Sequence, residues 1–345
     1  MNDIPEISDI DSVMLTGPVR RMLDSPAAEV RDWQYDRVSY IHTEEANLGL
    51  HRFKGTARDH GVERAWSIVL KIVEAPVNEV NPSYWNYHRR EILAYEEGCL
   101  ENLPGNVSAP RCLGINKYPG GICWLWLEDV QNPASLVWSL NEFGLVARHL
   151  GQFNGAYLTG HPIPRFPWLS RNWMQGWLTS YEPTNRDVLE RIQQESFWEH
   201  PALRTVFPRR ITEDVLRLWA RYDALLRTIH QLPQTFCHLD AYRPNLFLRR
   251  EARGVAQTIA VDWVFTGIAA VGEEIANLLV ASLIWLEHDA QEARDLDEAV
   301  FNGYLNGLRD AGWHGDARPV RLGYTAACVL RWGVVGLWWF RSLGD

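Results

Sequence analysis

The chain has 345 residues, of which 46% are hydrophobic and 22% charged, so it can bury a substantial core and is not a disordered polymer. Its formal net charge of −9 argues against a protein that binds a nucleic-acid backbone, which would need a basic surface. The five cysteines are scattered and the N-terminus has no apolar run, so we expect reduced thiols, no signal peptide and a cytoplasmic location.

The first third of the chain is predicted to be a small β-rich unit. Its first 25 residues are expected to be irregular apart from a short helix over 19–23. Alternating or β-branched residues predict strands, which we place at 38–42, 48–53 and 66–73. A helix is predicted over 84–100, where Ser83 can cap it, and two further strands are predicted at 111–115 and 122–127.

Helical patterns dominate the rest of the chain. They cover 133–236, broken by a Pro- and Trp-rich stretch at 162–177, and return over 273–343 after a predicted hairpin with strands 246–249 and 257–261. The apolar run 324–340 is short for a membrane span and is interrupted by Arg331 and Gly336, so we predict a buried helix and no membrane contact. This layout predicts an α+β protein with two lobes: residues 1–127, a link at 128–132, and residues 133–345.

The strongest chemical signal is the segment 237–247, Cys-His-Leu-Asp-Ala-Tyr-Arg-Pro-Asn-Leu-Phe, which holds His238, Asp240 and Asn245. A short apolar strand then leads to Asp262. Carboxylate and amide oxygens of this kind form a good site for Mg²⁺, and Asp240 can orient or deprotonate an attacking hydroxyl. The alternative is a polar turn in which Asp and Asn serve as caps, and Asp262 counts against it.

Lysine usage gives an independent signal. The chain has only Lys54, Lys71 and Lys117, against 31 arginines, and Lys71 is flanked by apolar residues on both sides. A buried ammonium group is costly unless it finds a partner, although a strand could also turn this side chain to solvent.

With these motifs the chain resembles the aminoglycoside phosphotransferase family, which shares the protein-kinase fold and includes choline and other small-molecule kinases. The resemblance implies a bilobal protein-kinase-like fold with a small β-rich N-lobe and a larger, mainly helical C-lobe. It implies that Asp240 is the catalytic base, that Asn245 and Asp262 hold magnesium, and that His238 pins the loop. The family often has glycine where this chain has Leu239.

The same resemblance assigns nucleotide-binding roles in the first lobe. Lys71 would reach the phosphates and pair with Glu91 on the next helix, with Glu96, Glu97 and Glu101 on its solvated face. Backbone groups of Glu128 and Val130 would bind the base, unless 124–130 is an ordinary strand end. Gly49 is the only glycine of the segment 43–49, which takes the place of a glycine-rich phosphate loop.

Two charged positions near the catalytic loop carry weaker predictions. Arg243 could neutralise the transferred phosphate or make a surface contact. Glu273 or Glu274 stands where the family usually has aspartate, and either one could tie the catalytic loop to the following helix. The alternative for both glutamates is a first-turn position favoured by the helix dipole.

Two stretches could line a site for a cationic acceptor. Aromatic faces hold cationic amines, and four aromatic residues cluster after 162–167: Trp168, Trp173, Trp177 and Tyr181. An acidic run would attract the same cation: Glu287, Asp289, Glu292, Asp295, Asp297 and Glu298. The alternatives are lobe packing for the aromatic residues and a solvated helix face for the acids.

These observations lead to one functional hypothesis and two alternatives. The chain is expected to be a transferase that moves the γ-phosphate of ATP or GTP, with Mg²⁺, to a hydroxyl of a small molecule. Candidate acceptors are an aminoglycoside-like antibiotic, an amino alcohol such as choline, or a natural product. The alternatives are a catalytically silent nucleotide-binding scaffold and a sugar kinase on the same fold. The choice of nucleotide and the oligomeric state stay open.

Overall fold

The computed structural model describes residues 5–38, 49–74, 81–131, 137–199, 211–250 and 256–334. In chain order, the elements of the first lobe are α1 (Ser12–Met22), β1 (Glu29–Arg37), β2 (Leu50–Asp59), β3 (Val62–Val73), α2 (Arg90–Glu96), β4 (Val107–Ser108), β5 (Cys112–Lys117) and β6 (Cys123–Glu128). Five of these strands form an antiparallel sheet in the order β1-β2-β3-β6-β5. Helix α1 packs against the sheet through buried Leu15 and Val19.

The alternating pattern of strand β3 determines where Lys71 lies. Trp66, Ile68 and Leu70 alternate along the strand and are buried against one side of the sheet. Lys71 has the opposite parity and lines the cleft on the other side. It lies opposite Leu50 of β2 and Leu125 of β6, so it is anchored in the middle of the sheet.

The second lobe is mainly helical. Its elements are α3 (Leu140–Leu158), α4 (Trp173–Ser180), α5 (Glu182–Arg191), α6 (Ile211–Trp219), α7 (Tyr222–Gln231), β7 (Gln234–Cys237), β8 (Leu246–Arg250), β9 (Ala256–Ala260), β10 (Gly267–Ala270), α8 (Ala276–Ile284), α9 (Ala293–Asp310), α10 (Ala317–Cys328) and a π-helical turn, Val329–Val334. Strands β7 and β10 pair antiparallel, β8 and β9 form a hairpin, and β4 joins β9 in parallel. None of the helices in the described ranges is long and apolar enough to cross a membrane.

Helices α3 and α9 pack along each other at very short range. A Cβ atom at Gly307 would lie 1.9 Å from the carbonyl oxygen of Arg148, and one at Gly151 would lie 2.2 Å from that of Tyr304. Only glycine fits such a contact. Helix α3 of this pair also packs against β7, which leads into the loop that carries Asp240.

The two-lobe α+β prediction is confirmed, and several element boundaries are corrected. Helix α1 begins at Ser12, not at residue 19, because Asp11 caps it by accepting a bond from the N–H of Met14. The first strand occupies Glu29–Arg37, before the predicted 38–42, of which 39–42 lie outside the described residues.

The helix predicted over 84–100 is shorter, spanning Arg90–Glu96. Ahead of it, the carbonyl groups of Pro82, Tyr84 and Trp85 accept bonds from the Arg90 side chain. The short strands β4, β7 and β10 were not predicted. The strands predicted at 111–115, 122–127, 246–249 and 257–261 are confirmed within two residues.

Candidate active site

A cavity of about 430 Å³ lies between the lobes. Its walls come from the underside of the sheet, the segment after β6, and the loop between β7 and β8. Most of the residues predicted for the site line it: Gly49, Lys71, Glu91, Glu128, Val130, Asp240 and Asp262. Residues that are 191 positions apart in the sequence are therefore brought together in one cleft.

Lys71 joins the two lobes through a pair of carboxylates. Its Nζ lies 2.6 Å from Oε2 of Glu91 and 2.8 Å from Oδ1 of Asp262. Oε1 of Glu91 accepts a bond from the backbone N–H of Trp263, next to Asp262, at 3.2 Å. Of the competing glutamates, Glu96 pairs with Lys117 and Glu97 binds the indole of Trp168. Glu91 is thus the glutamate that contacts Lys71.

The protonation states of Lys71, Glu91 and Asp262 depend on their contacts with one another and on their burial. Burial works to lower the pKa of Lys71, but the carboxylates of Asp262 and Glu91 raise it above its ordinary value. Burial raises the pKa of Glu91 against the effect of Lys71. For Asp262 the contact with Lys71 outweighs burial and lowers the pKa. Lys71 therefore stays protonated, and Asp262 stays ionised.

His238 makes hydrogen bonds to the backbone of Val261 and to that of Asp240. The fully buried ring contacts the carbonyl oxygen of Val261 through Nε2 at 2.8 Å, and Nδ1 accepts the backbone N–H of Asp240 at 3.1 Å. Burial lowers the pKa of His238 to about 4, so the ring is neutral and Nε2 carries its proton. The ring fixes the turn that presents Asp240.

Glu274, and not Glu273, ties this loop to the turn that leads into α8. Its carboxylate accepts the backbone N–H groups of His238 at 2.8 Å and Leu239 at 3.0 Å. Leu239 has a φ of 67°, the left-handed region that favours glycine. Because Leu239 is also buried, the bonds from Glu274 and the packing of its side chain hold a conformation that the isolated residue disfavours.

Asp240 is held through both carboxylate oxygens. Oδ2 accepts the side-chain amide of Asn245 at 2.9 Å, and Oδ1 accepts Asn277 at 3.1 Å and Arg331 at 2.8 Å. Burial raises the pKa of Asp240 to about 6, and the Arg331 guanidinium works against that rise. Asn277 and Arg331 were not identified from the sequence, although Arg331 interrupts an apolar run, the same signal that singled out Lys71.

Asn245 and Asp262 are the residues predicted to hold magnesium. Oδ2 of Asp262 has no hydrogen-bond partner among the described residues, so it is available to a cation. In the described part of the chain, no group of three His, Cys, Asp or Glu side chains could hold a metal ion without further ligands. Mg²⁺ is usually held by one or two carboxylates together with substrate phosphates, and the oxygens of Asn245 and Asp262 fit that pattern.

Three predicted residues have other placements or contacts. Arg243 is not among the cleft-lining residues; its Nε lies 3.8 Å from Oε1 of Glu287. The Glu128 side chain binds Arg249 at 2.6 Å, and its proposed role concerns only its backbone. Gly49 packs on β3, where a Cβ would meet the Ile72 carbonyl oxygen at 2.6 Å. Residues 43–48 lie outside the described residues.

Two of the four clustered aromatic residues, Trp168 and Trp173, are buried, which favours lobe packing for them. Trp173 is buried and stacks on Trp177 with ring centroids 5.4 Å apart, and Trp85 packs edge-on against both. A cationic side chain of the protein itself packs on this cluster: the Arg331 guanidinium lies 4.4 Å from the centre of the Trp173 ring. Two acids of the 287–298 run are likewise paired within the chain: Glu287 with Arg243, and Asp297 with Arg321.

Comparison with known proteins identifies the fold. No protein-family model matches the chain, and no curated protein matches it by sequence. Among solved structures it is similar to an amicoumacin kinase in complex with AMP-PNP and Ca²⁺, with 14% identity, a TM-score of 0.54, and coverage of 96% of this chain and 87% of that one. It is also similar to choline kinase from Cryptosporidium parvum, with 10% identity, a TM-score of 0.51, and coverage of 96% and 92%. The predicted protein-kinase-like fold is thereby confirmed.

Proposed function

We propose that this chain is a small-molecule kinase that transfers the γ-phosphate of ATP or GTP to a hydroxyl group. The observation that carries the proposal is the convergence of Lys71, Glu91 and Asp262 on the same cleft as Asp240, whose carboxylate accepts the side-chain amide of Asn245. Phosphoryl transfer needs mainly placement and charge neutralisation, and this arrangement provides both.

The nucleotide would lie in the cavity between the lobes. Lys71, Glu128 and Val130 line this cavity, and Lys71 is held by two carboxylates. Lys71 would bind the phosphates, and backbone groups of Glu128 and Val130 would bind the base. Asn245 and Asp262 would hold magnesium, which neutralises phosphate charge when bound. The amicoumacin kinase binds AMP-PNP, an ATP analogue, so ATP is the first nucleotide to test.

Asp240 would receive the proton of the acceptor. As the acceptor oxygen bonds to the γ-phosphorus, its proton moves to the Asp240 carboxylate and the bond from that phosphorus to the nucleoside diphosphate breaks. His238 and Glu274 hold the backbone of the loop that carries Asp240. A catalytically silent scaffold would be expected to lack one of Lys71, Asp240, Asn245 and Asp262, and all four are present.

The acceptor would be a small molecule, as the names amicoumacin kinase and choline kinase indicate for the two structural neighbours. The Trp173 and Trp177 cluster does not offer it a cation site, because Arg331 already occupies that face. An aminoglycoside-like compound, an amino alcohol and a neutral natural product are therefore all to be screened.

Thermal unfolding with ATP and with GTP, each with and without Mg²⁺, tests the proposal. A ligand that binds only the folded state stabilises it by about 2.7 kcal/mol at a concentration 100 times its Kd, so we expect Tm to rise by several degrees with magnesium and one of the nucleotides. Asp262→Ala should lose this rise, whereas Asp295→Ala, at an exposed position on α9, should keep it. No rise with either nucleotide would overturn the proposed function.

A further inference from the structure

Arg331 lies in the π-helical turn that follows α10, and 7% of its surface is exposed. Its guanidinium donates to the carbonyl oxygen of Leu239 at 2.6 Å and to Oδ1 of Asp240 at 2.8 Å. The face of the guanidinium lies over the ring of Trp173. A residue more than 90 positions away in the sequence is thus fixed on the catalytic loop by two charge-assisted hydrogen bonds and an aromatic face.

The next residue reaches the same carboxylate by a second route. The indole N–H of Trp332 donates to Oδ1 of Asn277 at 3.2 Å, and the amide of Asn277 donates to Oδ1 of Asp240 at 3.1 Å. Two consecutive residues of the π-helical turn therefore act on one oxygen atom, one directly and one through an amide. π-Helical turns are rare and are found frequently at functional sites.

The two oxygens of Asp240 are consequently not equivalent. Each carboxylate oxygen has two lone pairs. Oδ1 accepts from both Arg331 and Asn277, whereas Oδ2 accepts only from Asn245 within the part of the chain that is described. The lone pair that is left for an incoming hydroxyl is on Oδ2.

We propose that Arg331 is a positioning residue for phosphoryl transfer: together with Asn277 it fixes Oδ1 of Asp240, so that Oδ2 receives the proton of the acceptor hydroxyl. The inference rests on the proposed function. It also accounts for the aromatic cluster, because Trp173 orients the guanidinium that holds the carboxylate.

A matched control is present in the neighbouring helix. Arg321 in α10 also pairs with a carboxylate, that of Asp297, at 2.9 and 3.0 Å, and its guanidinium lies 3.7 Å from the centre of the Phe301 ring. Arg321 makes no contact with the catalytic loop in the described structure. Arg321→Met therefore removes the same chemistry as Arg331→Met without touching Asp240.

The first experiment measures magnesium-dependent ATP hydrolysis by water, which needs no identified acceptor. We expect Arg331→Met to lower kcat by roughly a hundredfold with KM for ATP unchanged, because the base is displaced while the nucleotide site is intact. Arg331→Lys should recover part of the loss, and Arg321→Met should behave like the unmodified chain. In an Asp240→Asn background, Arg331→Met should cost nothing more. An unchanged kcat in folded Arg331→Met would overturn the proposal.

The second experiment measures stability and does not depend on catalytic turnover. Urea midpoints of Arg331→Met, Asp240→Ala and the double variant form a cycle, in which Asp240→Ala removes the oxygens that Arg331 binds. Contact between the two side chains predicts that the double variant loses clearly less than the sum of the single losses. Additive losses would overturn the positioning role even if nucleotide binding is normal. If nucleotide and magnesium leave Tm unchanged while the cycle is non-additive, the proposed function fails and the contact stands.

Discussion

Asp240→Asn is expected to lower turnover by about 10²–10⁴-fold, the usual contribution of a general base, and to leave nucleotide binding nearly intact. Asparagine has the shape of aspartate and can still accept bonds from Arg331 and Asn277 through its amide oxygen. It cannot take a proton from the acceptor. The nucleotide contacts assigned to Lys71 and Asp262 do not pass through this side chain.

Turnover and the nucleotide-dependent rise in Tm are to be measured on the same preparations. Asp295→Asn, on the exposed face of α9, is the control for the chemical change and should match the unmodified chain in both measurements. Unchanged turnover in Asp240→Asn would remove Asp240 from the chemistry. A loss of the Tm rise together with the loss of turnover would show that the residue acts in binding instead.

The largest expected effect on stability comes from Arg90, which is fully buried. Its guanidinium donates to five backbone carbonyl groups at 2.6–3.2 Å, and these lie in both lobes: Pro82, Tyr84, Trp85, Trp168 and Val264. Five is the full number of donors in the side chain. Arg90→Met would leave those oxygens without these donors, so we expect the free energy of unfolding to fall by about 3–5 kcal/mol.

Urea denaturation measures this loss directly. Arg89→Met, at the preceding residue, is the matched control and should cost less than about 1 kcal/mol, because Arg89 makes no such set of bonds to the described residues. Arg90→Lys should recover only part of the loss, since an ammonium group has three donors in place of five. Equal losses in Arg89→Met and Arg90→Met would contradict the role given to Arg90.

The residues of the site that the sequence identified lie in short motifs or stand out by type. His238, Asp240 and Asn245 fall within eight residues. Lys71 is one of only three lysines in the sequence, and it is flanked by apolar residues. Arg331 carries the same signal as Lys71, a charged residue in an apolar run, but its partner lies 91 positions away. No spacing rule connects two such segments, and only the fold brings them together.

The errors in the fold prediction have a similar origin. Strand β1 is polar and largely exposed, so it lacks the alternation that identifies a half-buried strand. Residues 84–89 have helical spacing, yet the carbonyls of Tyr84 and Trp85 bind a side chain rather than only backbone N–H groups. Trp173 and Trp177, for which both lobe packing and an acceptor wall were open, hold the guanidinium of Arg331. For residues 84–89 and for the two tryptophans, the deciding contact is tertiary and does not show in the local sequence.

Helix α2 touches both lobes, but by different kinds of contact. Ile92 packs on Leu125 and Leu127 of the sheet, an apolar contact that has no preferred direction. Arg90 and Glu91 make buried, directional hydrogen bonds to Val264 and Trp263 of the second lobe. Glu91 also pairs with Lys71 of the sheet, so one carboxylate bonds to both lobes. Any change in the angle between the lobes would therefore have to break a bond to Glu91, and the position of Lys71 is coupled to that angle.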